Sequence, residues 1–154
     1  MRRTAVSLAL SAAVAVGVGL AVPSAASATT PPIRIVKIQY DSPGADRGGN
    51  SSLNAEYVVL KNTTRTNRSL TGWTLRDKQG YTYRFPTFTL KAGASVTIHT
   101  GKGSATASHR YYNRSWYVWN NTGDTAYLRD SRGVLRDSWA FNDATPSAYY
   151  VTRR

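Results

Sequence analysis

Hydrophobic and polar positions alternate in short runs along most of this chain, and turn residues separate the runs. "IRIVKIQY" (33–40) sets Ile33 and Ile35 on one side, then shifts phase to Ile38 and Tyr40, the pattern of a strand with a bulge. "AEYVVLKN" (55–62), "GWTLRD" (72–77), "YTYRF" (81–85), "SVTIHT" (95–100), "SWYVW" (115–119), "TAYLRD" (125–130) and "VLRDSWAF" (134–141) read as further strands. Val96 and Ile98 face inward with His99 outward, and Ala126 and Leu128 face inward with Tyr127 and Arg129 outward. Turn signals lie between them, at 77–80, 91–93, 121–124 and in the hairpin connection 130–133. Strands of this length with turns every ~8–12 residues predict an all-β sandwich. No stretch holds a 3.6-residue apolar period, and no repeat appears.

The start of the chain follows a different pattern. "MRR" is basic, 4–22 is apolar and uncharged, Pro23 interrupts the run, and Ala26-Ser27-Ala28 is a small-x-small cleavage site. Residues 1–28 are expected to be a secretory signal peptide, not a spanning helix. Residues 29–32 then form a short flexible lead-in, 33–150 the sandwich domain, and 151–154 a basic tail. The expected location is extracellular, with cell-wall association an open variant. The 154 residues carry 20 Lys and Arg against eight acids, a net charge of +12 that falls to +10 with Arg2 and Arg3 removed. Such a charge points to anionic surfaces and polymers as partners and says nothing of fold. With no cysteine, the exported domain cannot lean on disulfides, and it lacks a thiolate nucleophile or soft metal ligand.

The residues that could carry chemistry are few. His99 lies on a strand face and His109 in the polar stretch "GKGSATASHR"; both are expected to be ordinary surface histidines. There is no G-x-S-x-G elbow and no H-E-x-x-H pair, and "GKGS" (101–104) lacks the upstream glycine of a phosphate loop. Asp41, Asp46 and Glu56 lie within sixteen residues and are oxygen ligands of the kind calcium takes, although the spacing is not that of a calcium loop. The alternative is local: Asp41 and Asp46 cap a Pro43-Gly44 turn and Glu56 pairs with a neighbouring arginine. The crowded stretch 119–141 reads as scaffold, its aspartates capping turns and its arginines available for weak cross-strand pairs. "HRYYNRSWYVWNN" (109–121) interleaves Arg110 and Arg114 with Tyr111, Tyr112, Trp116 and Tyr117, the mixture by which proteins bind single-stranded nucleic acid or sugar surfaces. Read as core instead, it would bury alternate aromatics, either Trp116 with Val118 or Tyr117 with Trp119.

Several of these strings, in this order, resemble the lamin-tail domain family. "EYVVLKN" and "SLTGWTLRDKQGYTYRFPTFTLKAGASVTIHTGKG" look like its first half, and "WNNTGDTAYLRDSRGVLRD" like its second, so that the resemblance runs from about Ile33 to Phe141. It implies an immunoglobulin-like β-sandwich of about seven to nine short, mostly antiparallel strands. In nuclear members the domain binds proteins and DNA, and in secreted bacterial members it often accompanies hydrolases. The family domain has no catalytic residues to carry across. No heptad rod is present, so filament assembly does not transfer.

The expected function is therefore a non-catalytic binding module, docking on an anionic extracellular polymer, DNA or a protein. No cofactor is expected, calcium being a weak candidate. A metal-assisted phosphodiesterase built on Asp41, Asp46 and Glu56, or a structural surface module without a ligand, are the alternatives.

Overall fold

The computed structural model describes residues 30–142 and 150–153. Its first strand, β1 (Ile33–Gln39), carries the bulge anticipated from the phase shift: its register with β2 (Tyr57–Asn62) slips between Ile35 and Lys37. The slip returns Ile38 to the face already occupied by Ile33 and Ile35, and all three are buried. Between the two strands lies a short helix, α1 (Asn50–Ala55), which buries Leu53. β2 continues the sheet to β7 (Ser95–His99), which pairs in parallel with β8 (His109–Tyr111). β11 (Tyr150–Thr152) pairs with β1 on the other side, completing a five-stranded sheet. Residues 151 and 152, expected in a basic tail, thus belong to that sheet.

The second sheet has four strands in the order β10 (Leu135–Asn142), β9 (Gly123–Arg129), β4 (Thr74–Arg76) and β5 (Thr82–Arg84). Its two hairpins turn at 77–81 and 130–134. In the second, Asp130 Oδ1 accepts from the amides of Arg132 at 2.9 Å and Val134 at 3.0 Å, the turn-capping role expected of it. A small pair, β3 (Arg68–Ser69) with β6 (Thr89–Leu90), closes one corner. There the buried Asn62 side chain donates to the carbonyls of Thr66, Leu90 and Lys91.

The inner faces share one core. Ile35, Val58, Leu60, Val96 and Ile98 from the five-stranded sheet meet Leu75, Ala126 and Leu128 from the other. Tyr40 stacks on Phe141 with ring centroids 4.7 Å apart, joining the two layers. The fold is an all-β, immunoglobulin-like sandwich, with eleven strands among the described residues.

Candidate functional site

The stretch 115–119 is not a strand, contrary to its pattern. Asn113 adopts φ +59° and ends β8, and the Arg114 amide donates to Thr100 O at 3.0 Å, turning the chain across the end of the sandwich. Val118 and Trp119 are consecutive, yet both are buried, which the two-residue period of a strand forbids. Trp116 is left 58% exposed and Tyr117 half-buried, so neither expected alternation of buried aromatics holds.

Glu56 anchors this crossing segment. Its Oε1 accepts from Thr100 Oγ1 at 2.5 Å and from the Val118 amide at 2.9 Å, while Oε2 is buried without a hydrogen-bond partner among the described residues. No arginine pairs with it among the described residues. Burial pushes its carboxyl up to about 7, and the Thr100 and Val118 bonds oppose that rise only in part. The three acids considered as calcium ligands do not converge. Asp41 and Asp46 both accept from Asn121 Nδ2, at 3.2 and 2.9 Å, while Glu56 is committed to Thr100 and Val118. Among the described residues no group of three or more His, Asp or Glu side chains is arranged to hold a metal ion.

A second acidic pair lies beneath the same end. Asp77 is buried in the 77–81 turn, where its Oδ1 accepts from the Gly80 and Tyr81 amides at 2.7 and 2.6 Å. Burial raises its pKa, the amide bonds oppose the rise, and the nearby charge of Asp124 adds to it. Gln79, with its amide nitrogen turned to the carboxylates, bridges Asp77 Oδ2 at 2.5 Å and Asp124 Oδ2 at 3.1 Å. Above these residues opens a cleft of about 450 Å³, lined by Asp46, Gln79, Tyr81, Trp116, Tyr117 and Asn121 among others.

The six residues expected to form one binding strip are dispersed. Tyr112 is packed against the core and donates its hydroxyl to Leu75 O at 2.9 Å. The Arg110 guanidinium lies 4.2 Å from the Phe88 ring centroid, and that of Arg114 lies 4.1 Å from Tyr81. Tyr111 faces away on the outside of the five-stranded sheet, stacked on His99. Only Trp116 and Tyr117 share the cleft.

The sequence reading missed two groupings. The first joins the histidines: His99 Nδ1 donates to Asn54 O at 2.7 Å, which leaves Nε2 of the neutral ring to accept from His109 Nδ1 at 2.9 Å. Burial lowers the His99 pKa, the Asn54 contact opposes this, and His109 pushes it lower again. No local signal announces the pair, because a parallel strand after a loop this short departs from the usual long crossover.

The second grouping is cationic. On the outer face of the four-stranded sheet, Thr74 of β4 is opposite Arg84 of β5 on one side and Arg129 of β9 on the other, with Arg76 two residues along β4. At the next hairpin Arg132 and Arg136 both approach Asp130, at 3.9 and 2.5 Å. Burial by itself would raise the Asp130 pKa, but the Arg136 hydrogen bonds and the Val134 and Arg132 amides leave it lowered overall. Arg84 and Arg129 donate to the neutral carbonyls of Gly72 and Gly133, at 3.0 and 3.1 Å. Among the described residues no carboxylate pairs with Arg76, Arg84 or Arg129.

No curated protein matches the chain. A model of the Lamin Tail Domain family matches residues 26–143, most of the sequence, and the chain belongs to that family.

Proposed function

We propose that this lamin tail domain works outside the cell as a non-catalytic docking module, held on a polyanion by the outer face of its four-stranded sheet. Family membership supports an immunoglobulin-like interaction module. The basic start, apolar run and small-x-small site of residues 1–28 support export. The observation that carries the polyanion reading is the row Arg84, Arg129 and Arg76, spread over three neighbouring strands without a carboxylate partner among the described residues. Strands lie ~4.8 Å apart, so Arg84 and Arg129 flank Thr74 at about 10 Å from one another. Guanidinium groups so placed bind phosphate or carboxylate oxygens along a chain by paired hydrogen bonds. They need no fixed sequence in the polymer. Arg110 and Arg114 contribute less, because each is occupied by an aromatic ring of its own fold.

The test is a salt titration of binding to poly(glycerol phosphate), to DNA and to heparin, with uncharged dextran as control. Affinity for the polyanions should fall steeply with salt, and each arginine in contact should account for roughly 0.7–0.9 of the log–log slope. Arg76→Ala, Arg84→Ala and Arg129→Ala combined should flatten the slope by about two to three. An unchanged slope in that triple variant, or a loss confined to Arg110→Ala and Arg114→Ala, would sink the proposal. The three polymers separate phosphodiester from carboxylate and sulfate preference.

A further inference from the structure

The cleft at the acidic end of the sandwich is chemically unlike the arginine face and invites a different ligand. Trp116 is 58% exposed, the most exposed of the large hydrophobic residues described. It is nevertheless held in place. Gly48, at φ +71°, lies so close that an added Cβ would be 2.7 Å from Trp116 Cζ3, and the Tyr117 ring meets it edge-on at 5.5 Å. Tyr117 is fixed in turn by a 2.7 Å hydrogen bond between its hydroxyl and Ser52 Oγ. A flat, rigid ring left in solvent beside a cleft is a prepared stacking platform.

The rest of the lining decides what stacks there. Asp46 brings a carboxylate and Asn121 and Gln79 bring amide oxygens to the same cleft, their amide nitrogens being given to Asp41 and Asp46 and to Asp77 and Asp124, so the lining suits a ligand whose polar groups donate. Asp41 adds a further carboxylate, sharing Asn121 Nδ2 with Asp46, and Asp77 and Asp124 lie behind Gln79. An anion would meet repulsion from these groups. A quaternary ammonium would meet repulsion from the Arg114 guanidinium, which already covers the Tyr81 face of the cleft at 4.1 Å. A neutral ring with one apolar C–H face and hydroxyls around its edge satisfies both constraints. The volume, about 450 Å³, is in the range of small-ligand sites.

We propose that this cleft binds a pyranose unit of a neutral glycan, stacked on Trp116 with its hydroxyls directed to Asp46, Asn121 and Gln79. Arg84 and Arg129 reach Gly72 O and Gly133 O and do not line the cleft, whereas Arg76 packs on Gly80 in the turn beside it, so a variant at Arg84 and Arg129 alone separates the two proposals.

Chitotetraose, cellotetraose and maltotetraose are titrated into the purified protein, followed by tryptophan fluorescence and calorimetry at low and high salt. At least one should bind saturably with an affinity insensitive to salt. Trp116→Ala should weaken it about tenfold, as expected for loss of one stacking ring. Trp116→Phe should restore most of the loss, and Asp46→Ala should weaken binding without unfolding, since that side chain is exposed. The Arg84→Ala, Arg129→Ala double variant should bind as the parent does. Absence of saturable binding to all three sugars overturns the proposal. So does affinity that survives Trp116→Ala, or choline displacing the sugar and binding more tightly itself.

Discussion

Glu56 shows how one side chain can tie local structure to solution behaviour. Its carboxyl is buried, titrates at about 7 and is bonded through a single oxygen to Thr100 and Val118. The same group in an unfolded chain titrates near 4.5. Between these values the folded protein binds the extra proton, so stability falls as pH rises through this window. A shift of this size corresponds to a loss on the order of 3 kcal/mol between pH 4.5 and 7. Asp41 and Asp77, both raised chiefly by burial, act in the same direction. Glu56→Gln keeps an acceptor for both bonds and carries no charge, so its melting temperature should change much less across that window. Thermal melts at intervals from pH 4.5 to 8 provide the check; parallel curves for parent and variant would contradict it. A second residue-scale prediction concerns Gly123, at φ +134°, where an added Cβ would come within 3.0 Å of Phe141 O. Gly123→Ala should cost more than about 1 kcal/mol in denaturant melts, through backbone conformation as well as contact.

Among the elements, the regular strands were legible and the irregular ones were not. β1, β2, β7, β9 and β10 carry alternation strong enough to read directly, and even the bulge near Val36 follows from the phase of its isoleucines. The stretch 115–119 has strand composition, but its Val118 amide is claimed by the Glu56 carboxylate. Local propensity loses there to a tertiary hydrogen bond. The helix α1 is too short for periodicity to reveal it. Its position depends on "GKG": Asn50 and Asn54 both donate to Lys102 O, at 3.1 and 2.9 Å, and an added Cβ on Gly101 would collide with the amide oxygens of both. Those glycines are there for close packing and not for phosphate. Gly101→Ala should detach α1 while leaving the sheets intact, seen as faster amide exchange at Leu53 and Lys102 with little change in the core amides.

For the molecule as a whole, the sequence displays its charge but not where the fold collects it. Arg76, Arg84 and Arg129 are separated by up to fifty-three positions, yet lie on neighbouring strands of one face. Asp77 and Asp124, forty-seven positions apart, are bridged by Gln79 beneath an aromatic cleft whose lining includes Asp46. Antiparallel pairing of β4 with both β5 and β9 produces the first grouping, and no window of the sequence contains it. The residues expected to form a strip at 109–121 are dispersed for the complementary reason: residues adjacent in sequence point in different directions once β8 ends and the chain turns. The resulting picture is a sandwich with two chemically distinct surfaces, a row of arginines and an aromatic cleft beside carboxylates.

The most direct measurement is the salt dependence of binding to poly(glycerol phosphate) for the parent protein beside the variant lacking Arg76, Arg84 and Arg129. A steep slope in the parent that flattens by about two to three in the variant is the predicted result. Equal slopes would contradict the assignment of the arginine face as the docking surface.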